Sequence, residues 1–425
     1  MKRIVIVSVI VSTLVTSAMA HEQERDRTHS VKKSIASVPE ITQKELDAVD
    51  GFGHMFQDGK VTGQIRSSYS EIHYKSAQDV YATAVGGFLK YELAEYKGLS
   101  AGVEFVTSQN VNALSGKGVK YNAEFSSQAK EYTQMSEAYI NYNYKGFKLR
   151  AGRQTIDTPL ADSDDIRMVA DSFNAYILTY EQNELSFMGG YLDSWQGYDA
   201  GLDTPWVATG KDGTYLAGIS WNYASLDASL WYYNINGQKG DTTANNSYYS
   251  DIVGHFHLSE ELFWHIGGQY LLQKELDNSG VASEIYGAMS ELVSYGFGVN
   301  IAYDKSLKKQ GKQSFSGFGG GTLFTSMDNM IVDNIAVDRD VEAFVGGVSY
   351  DYESFNLLYG YGDFYGSANS LGQTEHIVEQ NIGFAYEKED SLTFGAIFTK
   401  QDDKKQTGIN SGDWRNFRVL VAYNF

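Results

Sequence analysis

The sequence predicts an all-β fold: a transmembrane antiparallel β-barrel of about 18 strands with one loop folded inward as a constriction. Three observations carry that reading. Apolar or aromatic residues recur at every second position from about residue 60 onward, the period of a strand with one apolar face. Short and long connections alternate between these segments, as they do when one rim of a barrel faces the periplasm and the other the outside. The last nine residues set Phe417, Val419, Val421, Tyr423 and Phe425 in alternation with Arg418, Leu420, Ala422 and Asn424, and the printed sequence stops on the aromatic.

Composition narrows the class. No run of about 18 apolar residues occurs, so the chain is not a helical membrane protein. A mean hydropathy of −0.34 suits a barrel, in which only alternate residues meet lipid. The 31 Tyr suit an aromatic girdle, with the ring buried and the hydroxyl wet. With no Cys there is neither a disulfide framework nor thiol chemistry. A net charge of −19 excludes nucleic acid as the expected partner.

Taken in order, residues 1–20 read as a signal peptide. Lys2 and Arg3 begin it, residues 4–15 are its apolar centre, and Ala18-Met19-Ala20 places cleavage between Ala20 and His21. Residues 21–57 read as a periplasmic lead-in too short to bury its own core, with Thr42 and Glu45 spaced as a capping box. Residues 58–425 are the barrel. Seventeen segments show the strand pattern, and residues 316–325 supply the eighteenth, since a single-chain bacterial barrel takes an even number. The turns at Ala224-Ser225 and at residues 351–354 are short; the stretches 106–130, 234–247 and 305–321 are long and polar.

One internal stretch is distinctive. Leu149-Arg150-Ala151-Gly152-Arg153-Gln154 leads into Asp157-Thr158-Pro159, then Asp162, Asp164, Asp165 and Arg167. Pro159 cannot donate to a ladder and ends the strand. This run resembles the constricting loop of the OprD family of outer-membrane porins, and the terminal strand resembles the closing strand of outer-membrane barrels. A weaker match is Phe324-Thr325-Ser326-Met327-Asp328, followed by Asp338-Arg339-Asp340 and Gly346-Gly347. The resemblance covers about residue 60 to Phe425. It implies passive diffusion of small hydrophilic solutes, often carboxylate-bearing, through a constricted pore without a cofactor. It also implies lipid, lipopolysaccharide and the outer-membrane insertion machinery as partners, the last reading Tyr423 and Phe425. Monomer and homotrimer both occur among such barrels.

Selectivity needs a narrow place and a charge asymmetry within it. By strand parity Arg66, Arg150 and Arg418 face the lumen. With Arg167 and Arg415 they form the expected basic path, and Asp162, Asp164 and Asp165 form the acidic side. Arg153 has lipid-facing parity and belongs at the interface. Other chemistry fits less well. The three aspartates lack the spacing and closing Glu of a Ca²⁺ loop. Gly317-Phe318-Gly319-Gly320-Gly321 lacks the Lys-Ser/Thr of a phosphate loop. His255 and His257 share a strand face without an evident third ligand and read as lumen or interface histidines. The alternatives to a porin are a barrel-wall lipid hydrolase, for which no nucleophile and base are suitably placed, and an adhesion barrel using its long loops.

Overall fold

The computed structural model describes residues 51–111, 132–200, 206–237, 242–388, 391–407 and 412–425. The expected signal peptide, its expected cleavage point at Ala20/His21 and most of the expected lead-in lie outside them. Where the description begins, a short helix, Gly51–Gln57, lies against the barrel, with Tyr91 donating its hydroxyl to the Phe56 carbonyl at 2.6 Å.

Eighteen strands of eight residues or more follow among the described residues. They are β1 (Lys60–Tyr74), β2 (Val80–Glu92), β3 (Leu99–Asn110), β4 (Tyr132–Tyr144), β5 (Phe147–Gln154) and β6 (Ser172–Gln182). Next come β7 (Leu185–Gln196), β8 (Thr214–Tyr223), β9 (Leu226–Ile235), β10 (Asn245–His257), β11 (Leu262–Glu275) and β12 (Ser283–Ser294). The set ends with β13 (Phe297–Ser306), β14 (Val341–Tyr352), β15 (Phe355–Gly366), β16 (Glu375–Lys388), β17 (Leu392–Asp403) and β18 (Trp414–Asn424). Each pairs antiparallel with the next, and β1 pairs with β18 from Gln64↔Asn424 to Tyr74↔Trp414, which closes the barrel and leaves no edge.

The alternating pattern translates directly into an inside and an outside. Ile65, Leu89, Ile140, Leu178, Val299, Val348 and Ile382 all point outward. Tyrosines ring both ends of this band: Tyr144, Tyr223, Tyr295 and Tyr352 beside the short turns, Tyr215, Tyr248, Tyr270 and Tyr303 near the opposite rim. The turns Lys145-Gly146 and Tyr295-Gly296 have positive φ at both residues, the geometry whose twist matches the flanking strands.

The terminal aromatic is part of the closing seam. Phe425 donates its N–H to the Gly63 carbonyl at 2.9 Å and accepts from the Gly63 N–H at 3.0 Å. Its ring lies so close over Gly63 that a Cβ there would sit 2.4 Å from the ring. Deleting Phe425 removes both bonds and the ring, a loss on the order of 2–3 kcal/mol. The expected result is a smaller folded fraction, read as the share of protein that migrates as compact barrel before heating on a denaturing gel.

Two expectations are corrected. The eighteenth strand is β12, not residues 316–325, which form no strand. The pattern of β12 is blurred because Ala288 and Ser290 lie on its outer face while Ile285 and Met289 face inward. Arg415 does not line the pore. It shares the parity of Phe417 and Val419, is exposed, and lies level with His73 and Lys400 on the outside of the wall. Arg153 also lies on the outer face, its guanidinium 4.7 Å from the Trp206 ring centroid.

Candidate pore constriction

Two connections turn into the lumen instead of standing above it. The first, residues 155–171, leaves β5 and makes a tight hairpin in which Asp157–Thr158 pairs with Ala161–Asp162 around Pro159. The Thr158 hydroxyl donates to the Ala161 carbonyl at 2.9 Å and fixes the turn. The tip reaches across to β9, where the Leu160 N–H meets the Tyr233 hydroxyl at 3.2 Å. The returning arm lies against β1 to β4. Met168 and Val169 pack on Ala82, Ala84, Val106 and Tyr132. The Arg66 guanidinium grips both Asp165 oxygens at 2.6 and 2.8 Å and also donates to the Arg167 carbonyl.

The second, residues 307–340, was read from the sequence as a long polar loop in its first half. Its second half is an apolar pad pressed on the inner wall. Leu323, Phe324, Met327, Met330, Val332 and Ile335 join one buried cluster with Leu271, Ile285, Val345, Leu358 and Ile377 of the strands. Wall side chains clamp its backbone and polar groups. Asp304 of β13 accepts from the Thr325 N–H and hydroxyl at 2.9 and 2.7 Å. Glu379 of β16 accepts from the Asn329 and Met330 N–H groups at 3.1 and 2.9 Å. Asp328 accepts from Thr399 of β17 at 2.7 Å and from Arg418 of β18 at 2.5 Å. Burial works against charge on Asp328, yet Arg418 and Arg167 outweigh it and hold the carboxyl below its ordinary range. The weaker motif, Phe324 to Asp328, is therefore the part of the pad that carries two of these clamps.

The two inward segments meet. The Asp162 N–H donates to the Phe318 carbonyl at 3.0 Å and the Phe318 N–H to the Leu160 carbonyl at 2.9 Å. The Thr322 hydroxyl also donates to the Pro159 carbonyl. Gly319 has φ +79°, and a Cβ on it would lie 2.3 Å from the Asp162 carbonyl oxygen. That close crossing accounts for the glycine-rich run at residues 317–321.

The charges do not face each other as two opposed walls. Arg66 and Asp165 neutralise one another, as do Arg418 and Asp328. On β2, Lys90 pairs with Glu137 at 2.8 Å. Arg167 is buried, its guanidinium 4.9 Å from the Tyr198 ring centroid. Asp162 lies at the base of the hairpin and Asp164 on the returning arm, both partly exposed. Arg150 differs from the other wall cations. Its guanidinium stacks 4.1 Å from the Tyr139 ring centroid and donates to Asn141 at 2.8 Å, with no carboxylate within ion-pair distance among the described residues. Parity alone sufficed to point Arg66, Arg150 and Arg418 inward; no sequence signal shows which of them is neutralised. Among the described residues no three acidic or histidine side chains converge as a metal-ligand set.

Comparison with known proteins agrees with this architecture. A family model described as a putative β-barrel porin-2, OmpL-like, matches residues 177–303. No curated protein matches the sequence. Among solved structures, OpdK of Pseudomonas aeruginosa, in a structure with vanillate, superposes with a TM-score of 0.72 at 15% identity, covering 87% of this chain and 99% of that one. OccAB3 of Acinetobacter baumannii gives 0.74 at 14% identity with the same coverage. OpdL of P. aeruginosa gives 0.70 at 16% identity, again covering 87% and 99%. The chain is a closed antiparallel β-barrel with the fold that OpdK, OpdL and OccAB3 share.

Proposed function

We propose that the barrel is a passive diffusion channel for small hydrophilic solutes and that Arg150 favours those bearing a carboxylate. The observation that carries the reading is the state of Arg150: a lumen-facing cation beside an aromatic ring, without an acidic partner. An arginine fork matches a carboxylate in two parallel hydrogen bonds. The Tyr139 ring beside it offers a surface for an apolar or aromatic body. The two inward segments bring solutes near the wall, so its charge is felt at short range. Vanillate, present in the OpdK structure, is a solute of this chemistry.

Neutralised pairs elsewhere in the lumen support the same reading, because they remove competing attraction for the solute. Glu104 lies opposite the Lys90-paired Glu137 on β3 and β4, in the same part of the wall. The account places the basic contact at Arg150 and gives Arg66 and Arg418 the task of holding the inward segments. No turnover or cofactor enters this function. We also propose that lipopolysaccharide surrounds the outer rim and that Tyr423 and Phe425 are read by the insertion machinery.

Uptake into proteoliposomes tests the solute class. Wild-type protein is expected to pass benzoate faster than benzyl alcohol of similar size, and Arg150→Ala to abolish the difference. One ion contact at short range in a wet lumen is expected to change the ratio by about five-fold. Equal passage of both solutes by wild type would remove the carboxylate preference and leave a general pore.

A further inference from the structure

A second group of ionisable side chains lies on the inner wall, away from the inward hairpin. His255 and His257 of β10, His265 of β11, Asp227 of β9 and Glu291 of β12 all have lumen-facing parity. His255 and His265 are direct cross-strand partners, and His265 and Glu291 are the next such pair. The His255 Nδ1 and His265 Nδ1 atoms are 2.9 Å apart. The His255 Nε2 atom is 2.9 Å from Asp227 Oδ2. His265 and Glu291 are each only 2% exposed, and Glu291 Oε2 has no hydrogen-bond partner among the described residues. The other charged or ionisable groups near the cluster are Asp251 beside Asp227 and Asp351 acting on Glu291; His257 stacks edge-on against Phe263.

The proton inventory of this arrangement is restricted. A carboxylate only accepts, so His255 donates from Nε2 to Asp227. Its Nδ1 is then a lone pair in the neutral ring, and His265 donates to it from Nδ1. One added proton, taken at His265 Nε2 while the shared proton passes from His265 Nδ1 to His255 Nδ1, leaves His255 as imidazolium, reverses the direction of the Nδ1–Nδ1 bond and keeps every hydrogen bond, with Asp227 balancing the charge. A second proton puts N–H on both Nδ1 atoms at that separation, and the bond becomes a repulsion. His265 has no carboxylate in contact with it, whereas Glu291 stands across from it with an unused oxygen. Movement of His265 is the rearrangement that restores a partner to both groups.

We propose that this histidine–carboxylate cluster is an acid-responsive element of the pore, in which a second protonation separates His265 from His255 and pairs it with Glu291. The element sits near the mouth closed by the short turns, since residues 258–261 connect β10 to β11. One inward position along β11 from His265, Gly267 faces the apolar pad, where a Cβ on it would lie 3.2 Å from the ring of Phe324. The moving imidazole therefore lies next to the constriction. Acidification adds positive charge to the lumen at that level and shifts selectivity toward anions, by about two- to three-fold per added charge in a water-filled pore.

The test uses the full mature protein in planar bilayers, with reversal potential under a KCl gradient between pH 7.5 and 5. Wild type is expected to shift toward anions in two steps, over a pH range wider than the titration of one proton spans. His265→Asn is expected to retain only a one-proton shift, and Glu291→Gln to lose the second step. Carboxylates elsewhere in the pore are common to the proteins and cancel in the comparison. An identical pH dependence in wild type and His265→Asn overturns the proposal. A measurement on unaltered protein guards against misfolded variants: ¹⁵N-histidine spectra are expected to show two coupled steps for one imidazole pair. Independent single-step titration of all eight histidines would contradict it.

Discussion

Arg418→Met is expected to destabilise the folded barrel by about 3–5 kcal/mol, because removing one partner of a buried ion pair leaves the other charge uncompensated. Asp328 would lose its 2.5 Å bond from Arg418 and keep the Thr399 hydroxyl and Asn329 as hydrogen-bond partners, with Arg167 the remaining cation acting on it. The effect has a defined pH dependence. The Asp328 carboxyl is held below its ordinary range in the folded protein, so its contribution is present above about pH 4 and is lost as pH falls through the depressed value. The gap between wild type and variant therefore closes in acid. Thermal unfolding in detergent, followed by the loss of β-sheet circular dichroism, measures it. The double variant Arg418→Met, Asp328→Leu, which removes both charges, is expected to recover most of the loss. A single variant as stable as wild type at pH 7 would show that the pair does not anchor the pad.

The second large effect is on conductance. Replacing residues 321–336 by a short Gly-Ser linker removes the centre of the apolar pad together with Thr325, Asp328, Asn329 and Met330, the residues held by β13, β16, β17 and β18. The barrel strands are untouched, and the hairpin at residues 155–171 loses the Thr322 contact while keeping Phe318. Single-channel conductance is expected to rise at least about three-fold, since a wide barrel becomes a narrow pore only through what fills it. Gel migration before and after heating confirms that the variant is folded. Unchanged conductance would mean that the pad lies outside the current path and that the hairpin alone sets the passage.

Much of this fold was legible before any coordinates. Period-two alternation marks a strand whenever one face meets lipid and the other water, and that condition holds for most of the wall. It fails at β12, where small and polar residues face out and apolar residues face in; the sign of the pattern there is set by neighbours distant in sequence. The same reason hid the pad. Leu323, Phe324, Met327 and Met330 follow neither period, and only the apolar patch on the inner faces of β11 to β16 explains them. The first inward segment was legible because Pro159 and the acidic run break the strand pattern abruptly. Its partners were not. Arg66 and Asp165 are 99 residues apart, and nothing local predicts that they bind each other instead of facing across a gap. Arg415 was misplaced where parity with Phe417 already argued against it.

The central claim is an open, constricted pore with Arg150 as its unneutralised wall cation. Single-channel current through the purified protein in a planar bilayer, with reversal potential under a KCl gradient, tests it most directly. A steady open conductance is predicted for wild type, with Arg150→Ala shifted toward cations at little change in stability. A correctly folded barrel that carries no current would contradict the pore itself, and a conducting Arg150→Ala variant with unaltered selectivity would contradict the place given to Arg150.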